Sequence, residues 1–210
     1  FLPAFSADEF HYTLSSADLD EFKDNNVSSE NSSVDGLWEP VYGYIFHANS
    51  IIEGLHGNTV VTESVKKQLT GEAKFLRAFF YFNLVNYFGD VPLVLNTDYR
   101  VNTSMPRTAS NLVYESIIAD LLDAQTLLSA NYPTAERVRA NNAAATALLA
   151  RVYLYTQQWS KAESEATKVI SDTKYSLLAD LNTVFLKNSS EAIWQLQTVN
   201  TSTAGVNTWE

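Results

Sequence analysis

An all-α fold of tetratricopeptide-like helix pairs is what the sequence predicts, on three observations. Seven Gly and five Pro in 210 residues are too few turn markers for a sandwich or barrel of many short strands. Apolar residues recur at spacings of three and four along much of the chain, which keeps them on one face of a helix. Small and aromatic residues also return at long range: Ala78 and Tyr81 stand 72 residues before Ala150 and Tyr153, about two periods of a ~34-residue helix pair. An irregular bundle is the alternative reading of the same pattern.

Residues 6–34 mix Ser15, Ser16, Ser28, Ser29, Ser32 and Ser33 with acidic side chains and are expected to form loops with one short turn of helix. From Gly36, the residues Leu37, Val41, Tyr44, Ala48, Ile51 and Leu55 predict a first long helix, stopped by Gly54 and Gly57. A second helix is expected from about Thr62 to Phe88. It is nearly all apolar from Phe75 onward apart from Arg77, Asn83 and Asn86, and so must be covered on several sides. Gly89, Asp90 and Pro92 end it, and a long connection containing Pro106 leads to a third helix, Ser110 to Ala130, with Ile117, Leu121, Ala124 and Leu128 on one face.

A fourth helix (Ala140 to Tyr155) and a fifth (Ser160 to Asp172) form a repeat-like pair. Leu149, Ala150 and Tyr153 take the packing positions of its first helix, and Trp159, Ala162 and Ala166 those of its second. Ser160 and Glu163 have capping-box spacing. Near the end, Glu191 to Gln197 alternates polar and apolar, which suits a short strand carrying Trp194. The chain is thus expected to divide into a loop-rich segment 1–35, a helical region 36–190, and the start of a further region at 191–210.

Composition removes several function classes. With 24 acidic against 14 basic residues, the net charge of -10 repels phosphate backbones, so nucleic acid is not an expected partner. Cysteine is absent, and with it disulfides, thiolate nucleophiles and Cys-ligated metals. The apolar stretch Ala143 to Tyr155 is shorter than the ~20 residues that span a bilayer and contains Arg151. His11, His47 and His56 lack metal-ligand spacing, and no nucleophile signature is present, so no metal, cofactor or catalytic residue is expected.

The run GEAKFLRAFFYFNLVNYFGDVPLV, Gly71 to Val94, resembles the signature of the SusD/RagB family of bacterial outer-membrane lipoproteins, a long helix followed by a Gly-Asp-x-Pro turn. Trp38, Tyr42, Ile45, Ala48, Asn49 and Ile52 match the family's first helix, Pro106 and Arg107 its Pro-Arg segment, and Ala145 to Ala162 its repeat text. The resemblance covers about residues 35–196. It implies a surface-exposed α-helical protein, tethered to the outer membrane by an N-terminal lipidated cysteine, that captures an oligosaccharide and delivers it to a TonB-dependent (SusC-like) transporter. Because this chain has neither signal peptide nor cysteine and stops near the point where the family's larger second region would begin, it reads as a fragment.

A sugar presents an apolar ring face to aromatics and hydroxyls to Asp, Asn or His. The aromatics of Phe75 to Phe88 and Trp159 are expected in the core. The candidates left for glycan contact are Asp8, His11 and Tyr12 in the N-terminal segment, and Trp38 beside Asp35, Trp38 also serving as a packing anchor. Two other functions compete. A tetratricopeptide adaptor would hold a peptide in a polar groove, for which the fourth helix offers Arg139, Asn141, Asn142 and Arg151. A glycoside hydrolase would turn the sugar over.

Overall fold

The structure, a computed structural model, describes residues 2–10, 13 and 16–197. The chain divides within its first long helix into two compact units, Phe1–Tyr44 and Ile45–Glu210.

The first unit holds α1 (Leu2–Ser6), α2 (Ala17–Lys23) and the beginning of α3 (Ser32–Leu55). Two short helices therefore stand where loops and a single turn were expected, and α3 starts ahead of the expected Gly36. Side-chain caps explain both corrections. The Ser16 hydroxyl accepts the Leu19 N–H at 3.5 Å, and Asp18 and Asp20 place negative charge in the first turn of α2. Asn31, 3% exposed, accepts the Ser33 N–H at 3.0 Å and donates to the Asp18 carbonyl at 3.0 Å and to Glu21 at 2.8 Å. One buried amide thus starts α3 and fastens it to α2. The Ser6 hydroxyl donates to the Phe22 carbonyl at 2.9 Å and the Asn25 amide donates to the Ser6 carbonyl at 3.2 Å, which ties α1 to α2.

The second unit contains the rest of α3, then α4 (Glu63–Phe88), α5 (Tyr99–Asn102), α6 (Ser110–Leu127), α7 (Asn142–Tyr155) and α8 (Trp159–Ile170), followed by a 3-10 turn at Leu181–Thr183. Successive long helices pack on one another, α4 on α6, α6 on α7 and α7 on α8, the order of a helical repeat. On α3, Ile45, Ala48, Asn49 and Leu55 are buried whereas Tyr44 and Ile51 are exposed. The inward stripe is therefore rotated from the predicted one, because the buried Asn49 does not register in an apolar count.

The expectation for α4 holds as far as Val85, but in the last turn Tyr87, expected in the core, is 51% exposed. No residue from Gly71 to Val85 is exposed, and Phe75, Tyr81, Phe82 and Leu84 are buried; each such side chain adds roughly 1.5–3 kcal/mol relative to exposure. Gly71 permits the α4–α6 approach, since a Cβ there would lie 2.8 Å from Leu128 Cγ and 3.1 Å from Leu127 Cβ. Ile117, Leu121, Ala124 and Leu128 bury their predicted face; of the predicted α7 and α8 positions Leu149, Tyr153 and Ala162 are buried and Ala150 and Ala166 partly buried, and Val152 is buried beside them.

Three further expectations fail in this unit. Trp159 is 59% exposed rather than packed between helices: it is the first residue of α8 and precedes the turn that packs on α7. Because α8 starts there, Gln158 is the N-cap and makes no side-chain cap bond, so Ser160 and Glu163 form no capping box. The segment from Glu191 to Gln197 is not a strand, and no strand occurs among the described residues; one isolated bridge joins Val91 and Thr108. Trp194 instead packs edge-on against Phe75 and Phe79 at 5.1 and 5.4 Å, and its indole N–H donates to the Val138 carbonyl at 3.0 Å. Its alternation reflects anchoring by single side chains, with one backbone bond, Gln195 N–H to Arg137 carbonyl at 2.9 Å, in place of a ladder. Among the described residues no helix is long and apolar enough to cross a membrane.

Candidate functional site

The sequence-predicted contact residues lie in the first unit. Asp8 closes α1 in the left-handed region (φ 58°), with its N–H bonded to Phe5 at 3.2 Å and the Glu9 N–H to Ala4 at 2.9 Å, a turn that Asp tolerates better than most residues. Its carboxylate is exposed, but the turn alone gives a structural reason for the residue. Asp35 is exposed in the first turn of α3, three residues before Trp38 and so on a neighbouring face. Trp38 is half-buried, its ring 5.0 Å from that of Tyr42 at 48°. The structure thus places Asp35 and Trp38 three residues apart on one helix, leaves Asp8 to the α1 turn, and does not describe His11 or Tyr12.

In the second unit the motif residues converge on structure. Arg77 forks onto Asp120, Nε to Oδ2 at 2.7 Å and Nη2 to Oδ1 at 2.8 Å, while its Nη1 donates to Asn49 Oδ1 at 2.7 Å. Asn49 in turn donates to the Val94 and Asn96 carbonyls at 3.0 and 3.3 Å, and Tyr81 both donates to the Val94 carbonyl (2.9 Å) and accepts its N–H (2.7 Å). Three helices and the connection after α4 are therefore locked by one satisfied buried network. The Gly-Asp-x-Pro turn has an equally local cause. Gly89 takes φ 68°, and Asp90 accepts the N–H and hydroxyl of Ser110 at 2.8 and 2.6 Å, capping α6 from the preceding turn. These bonds, with Arg107 nearby, hold the Asp90 carboxyl below the usual carboxylate range; Arg107 also donates to the Asp90 carbonyl at 3.3 Å.

The adaptor groove is largely spent internally. Arg139 pairs with Glu72 at 2.7 Å, Asn141 is the buried N-cap of α7, accepting the Ala144 N–H at 3.0 Å, and Asn142 donates to the Gln125 carbonyl at 2.5 Å. Only Arg151 of that row is exposed without a bond among the described residues.

Sequence reasoning missed a cleft of about 460 Å³ between the start of α6 and the turn joining α7 to α8, lined by Asn111, Tyr114, Glu115, Tyr155, Gln157 and Gln158 among others. Tyr114 is positioned by its hydroxyl bond to Asn86 Oδ1 at 3.1 Å, and both tyrosine rings meet Phe82 edge-on, at 6.5 Å for Tyr114 and 5.0 Å for Tyr155. Burial, against the Asn86 bond and with the Tyr155 phenol adding to it, raises the Tyr114 pKa, so the phenol stays neutral. The signal for Tyr155 was its spacing: two residues beyond the inward Tyr153 it turns to the far side of the helix, where it is 55% exposed. Among the described residues no group of three or more His, Asp or Glu side chains is placed to hold a metal ion.

Comparison with known proteins adds relatives to this geometry. Residues 4–154 match the family model SusD-like_3, described as starch-binding associating with outer membrane. The SusD-like protein P25 of Formosa agariphila is 32% identical over 194 residues, covering 89% of this chain and 35% of its own length. A SusD-like protein of Bacteroides fragilis superimposes with a TM-score of 0.78 at 29% identity over 88% of this chain and 38% of its own. A laminarin-binding SusD-like protein superimposes with a TM-score of 0.72 at 29% identity, covering 77% of this chain and 36% of that protein. The chain thus spans little more than a third of the length of these relatives.

Proposed function

The chain belongs to the SusD-like family, and from that premise we propose that it is part of a surface glycan-binding protein of the outer membrane, lipid-anchored there, that captures oligosaccharide and delivers it to a TonB-dependent transporter. The observation that carries this reading is the family match over residues 4–154, reinforced by a laminarin-binding relative of the same fold at 29% identity. Binding suits the chemistry, since aromatic rings able to stack on a sugar face and side-chain amides able to bond its hydroxyls are present. In this reading residues 36–190 form the platform on which the transporter rests, and Asp8, His11, Tyr12 and Asp35 of residues 1–35, together with Trp38 just beyond them, supply one wall of the glycan site.

A one-walled site buries little of its ligand, so the chain alone binds its glycan weakly. Calorimetric titration with β-1,3-, β-1,4- and α-1,4-glucan oligosaccharides, followed by chromatography of the recovered sugar, tests the reading. Saturable binding of one class with the sugar recovered intact supports it. Release of shorter products would establish a hydrolase. Binding of peptides with no response to any glycan would establish the adaptor. Co-purification with a TonB-dependent transporter, lost on charge reversal across the exposed helix faces, tests the delivery step; co-purification that survives removal of residues 36–190 would refute it.

A further inference from the structure

We infer that the cleft between α6 and the α7–α8 turn is a second saccharide-binding subsite, taking one or two neutral pyranose rings and built from residues other than the N-terminal candidates. The inference rests on the glycan-binding reading for its ligand class and on the cleft itself for its position. Two aromatic rings border it, Tyr114 held by Asn86 and Tyr155 more than half exposed, both backed by Phe82. Rings of this kind offer an amphipathic face to the C–H side of a sugar while keeping a polar tip at its edge.

The polar groups of the cleft are available as well as near. Asn111, Glu115, the Gln157 amide and the Tyr155 hydroxyl make no side-chain hydrogen bond among the described residues, although they line one concavity with the rings. An amide and a carboxylate supply the donors and acceptors that vicinal hydroxyls require. No Lys or Arg lines the cleft, and the chain carries a net charge of -10, so uronates and sulfated sugars are disfavoured and neutral rings fit.

The turn that shapes the wall is the Schellman end of α7. Gln157 sits at φ 59°, with its N–H on Leu154 at 3.1 Å and the Gln158 N–H on Tyr153 at 2.8 Å. That position favours Gly or Asn, yet an amide-bearing side chain occupies it at the rim.

The test is NMR of the chain labelled at its tyrosine rings, titrated with cellohexaose and with maltohexaose to about 10 mM, a range suited to roughly millimolar binding. Saturable shifts at Tyr114 and Tyr155 are expected. Tyr155→Ala should weaken them at Tyr114 at least tenfold, and the double variant Asn111→Ala, Glu115→Ala severalfold. These cleft residues are exposed, so an unchanged amide fingerprint verifies the fold of each variant. Shifts confined to other tyrosines overturn the subsite while leaving the glycan-binding reading intact. No response from any ring to either sugar also overturns it, as does full binding in both cleft variants.

Discussion

The α4–α6 and α7–α8 pairs begin from the same sequence spacing and end differently. In α4, Ala78 and Tyr81 are 0% and 1% exposed, and the Tyr81 hydroxyl is bonded to both backbone groups of Val94. In α7, Tyr153 is 5% exposed, but its hydroxyl has no hydrogen bond among the described residues and Lys161 lies over its ring at 5.2 Å. The small/aromatic repeat thus specifies where a ring packs, not what its polar tip does. A buried guanidinium–carboxylate fork binds α4 to α6, whereas α7 and α8 meet through Leu149, Val152 and Ala162 with Glu165 bonded at the margin to Gln125 and Lys168. The pair without an ionic seam is the one whose surface carries Tyr155 and Trp159. Its helices are joined by the turn that walls the cleft.

The largest effect expected from breaking this contrast is at Asp120. Asp120→Ala leaves Arg77 buried without its partner and should cost about 3–5 kcal/mol, read as a fall in the urea midpoint at unchanged slope. Next comes the tyrosine pair itself. Tyr81→Phe strands the Val94 N–H, while the carbonyl keeps its Asn49 bond, and should cost roughly 1–3 kcal/mol, while Tyr153→Phe should change stability by less than about 0.5 kcal/mol; equal losses would erase the distinction. Gly71→Ala sets a crowding penalty at Leu128 of ~1–3 kcal/mol against a helix-propensity gain of about 1 kcal/mol, for a net loss near ~1 kcal/mol by thermal denaturation.

The smallest effect concerns the tie between the α6–α7 connection and the segment after α8. Tyr132 is bonded to Tyr175 at 2.8 Å and to the Ile193 carbonyl at 2.7 Å, and burial, then Tyr175, push its phenol well above the ordinary range. A raised phenol pKa contributes stability that is whole below the unfolded value of about 10 and is lost as pH rises from there through the folded value. The melting temperature should therefore fall above about pH 10, and fall less steeply in Tyr132→Phe.

The elements legible in the sequence were those stabilised by periodic apolar burial. The α4 run and the stripe Ile117, Leu121, Ala124 and Leu128 could be placed nearly to the residue because, apart from Arg77 and Asp120, the buried positions of these helices are apolar or glycine. Elements started by one polar side chain were harder: α2 and the first turn of α3 depend on Ser16 and Asn31, which read as loop composition. Glu191 to Gln197 misled because alternation reports an extended backbone without saying whether its partners are strands or side chains such as Arg137 and Tyr132. Of the candidate residues, Asp35 and Trp38 stand close enough in the sequence to share one helix at a spacing of three, while the Tyr114–Tyr155 cleft joins residues far apart in the chain and has no local pattern. The motif residues that carried the family resemblance, Asn49, Arg77 and Asp90, proved to be the fasteners of the scaffold.

Native-state hydrogen exchange of the chain tests most directly whether the α4–α6 seam, and not the α7–α8 pair, holds the second unit together. Amides of α4 and α6 should fall in the slowest class, opening only with global unfolding, and those of α8 should open at lower free energy and ahead of them. Protection of α8 equal to that of α4, or opening of α4 before α8, would contradict the account.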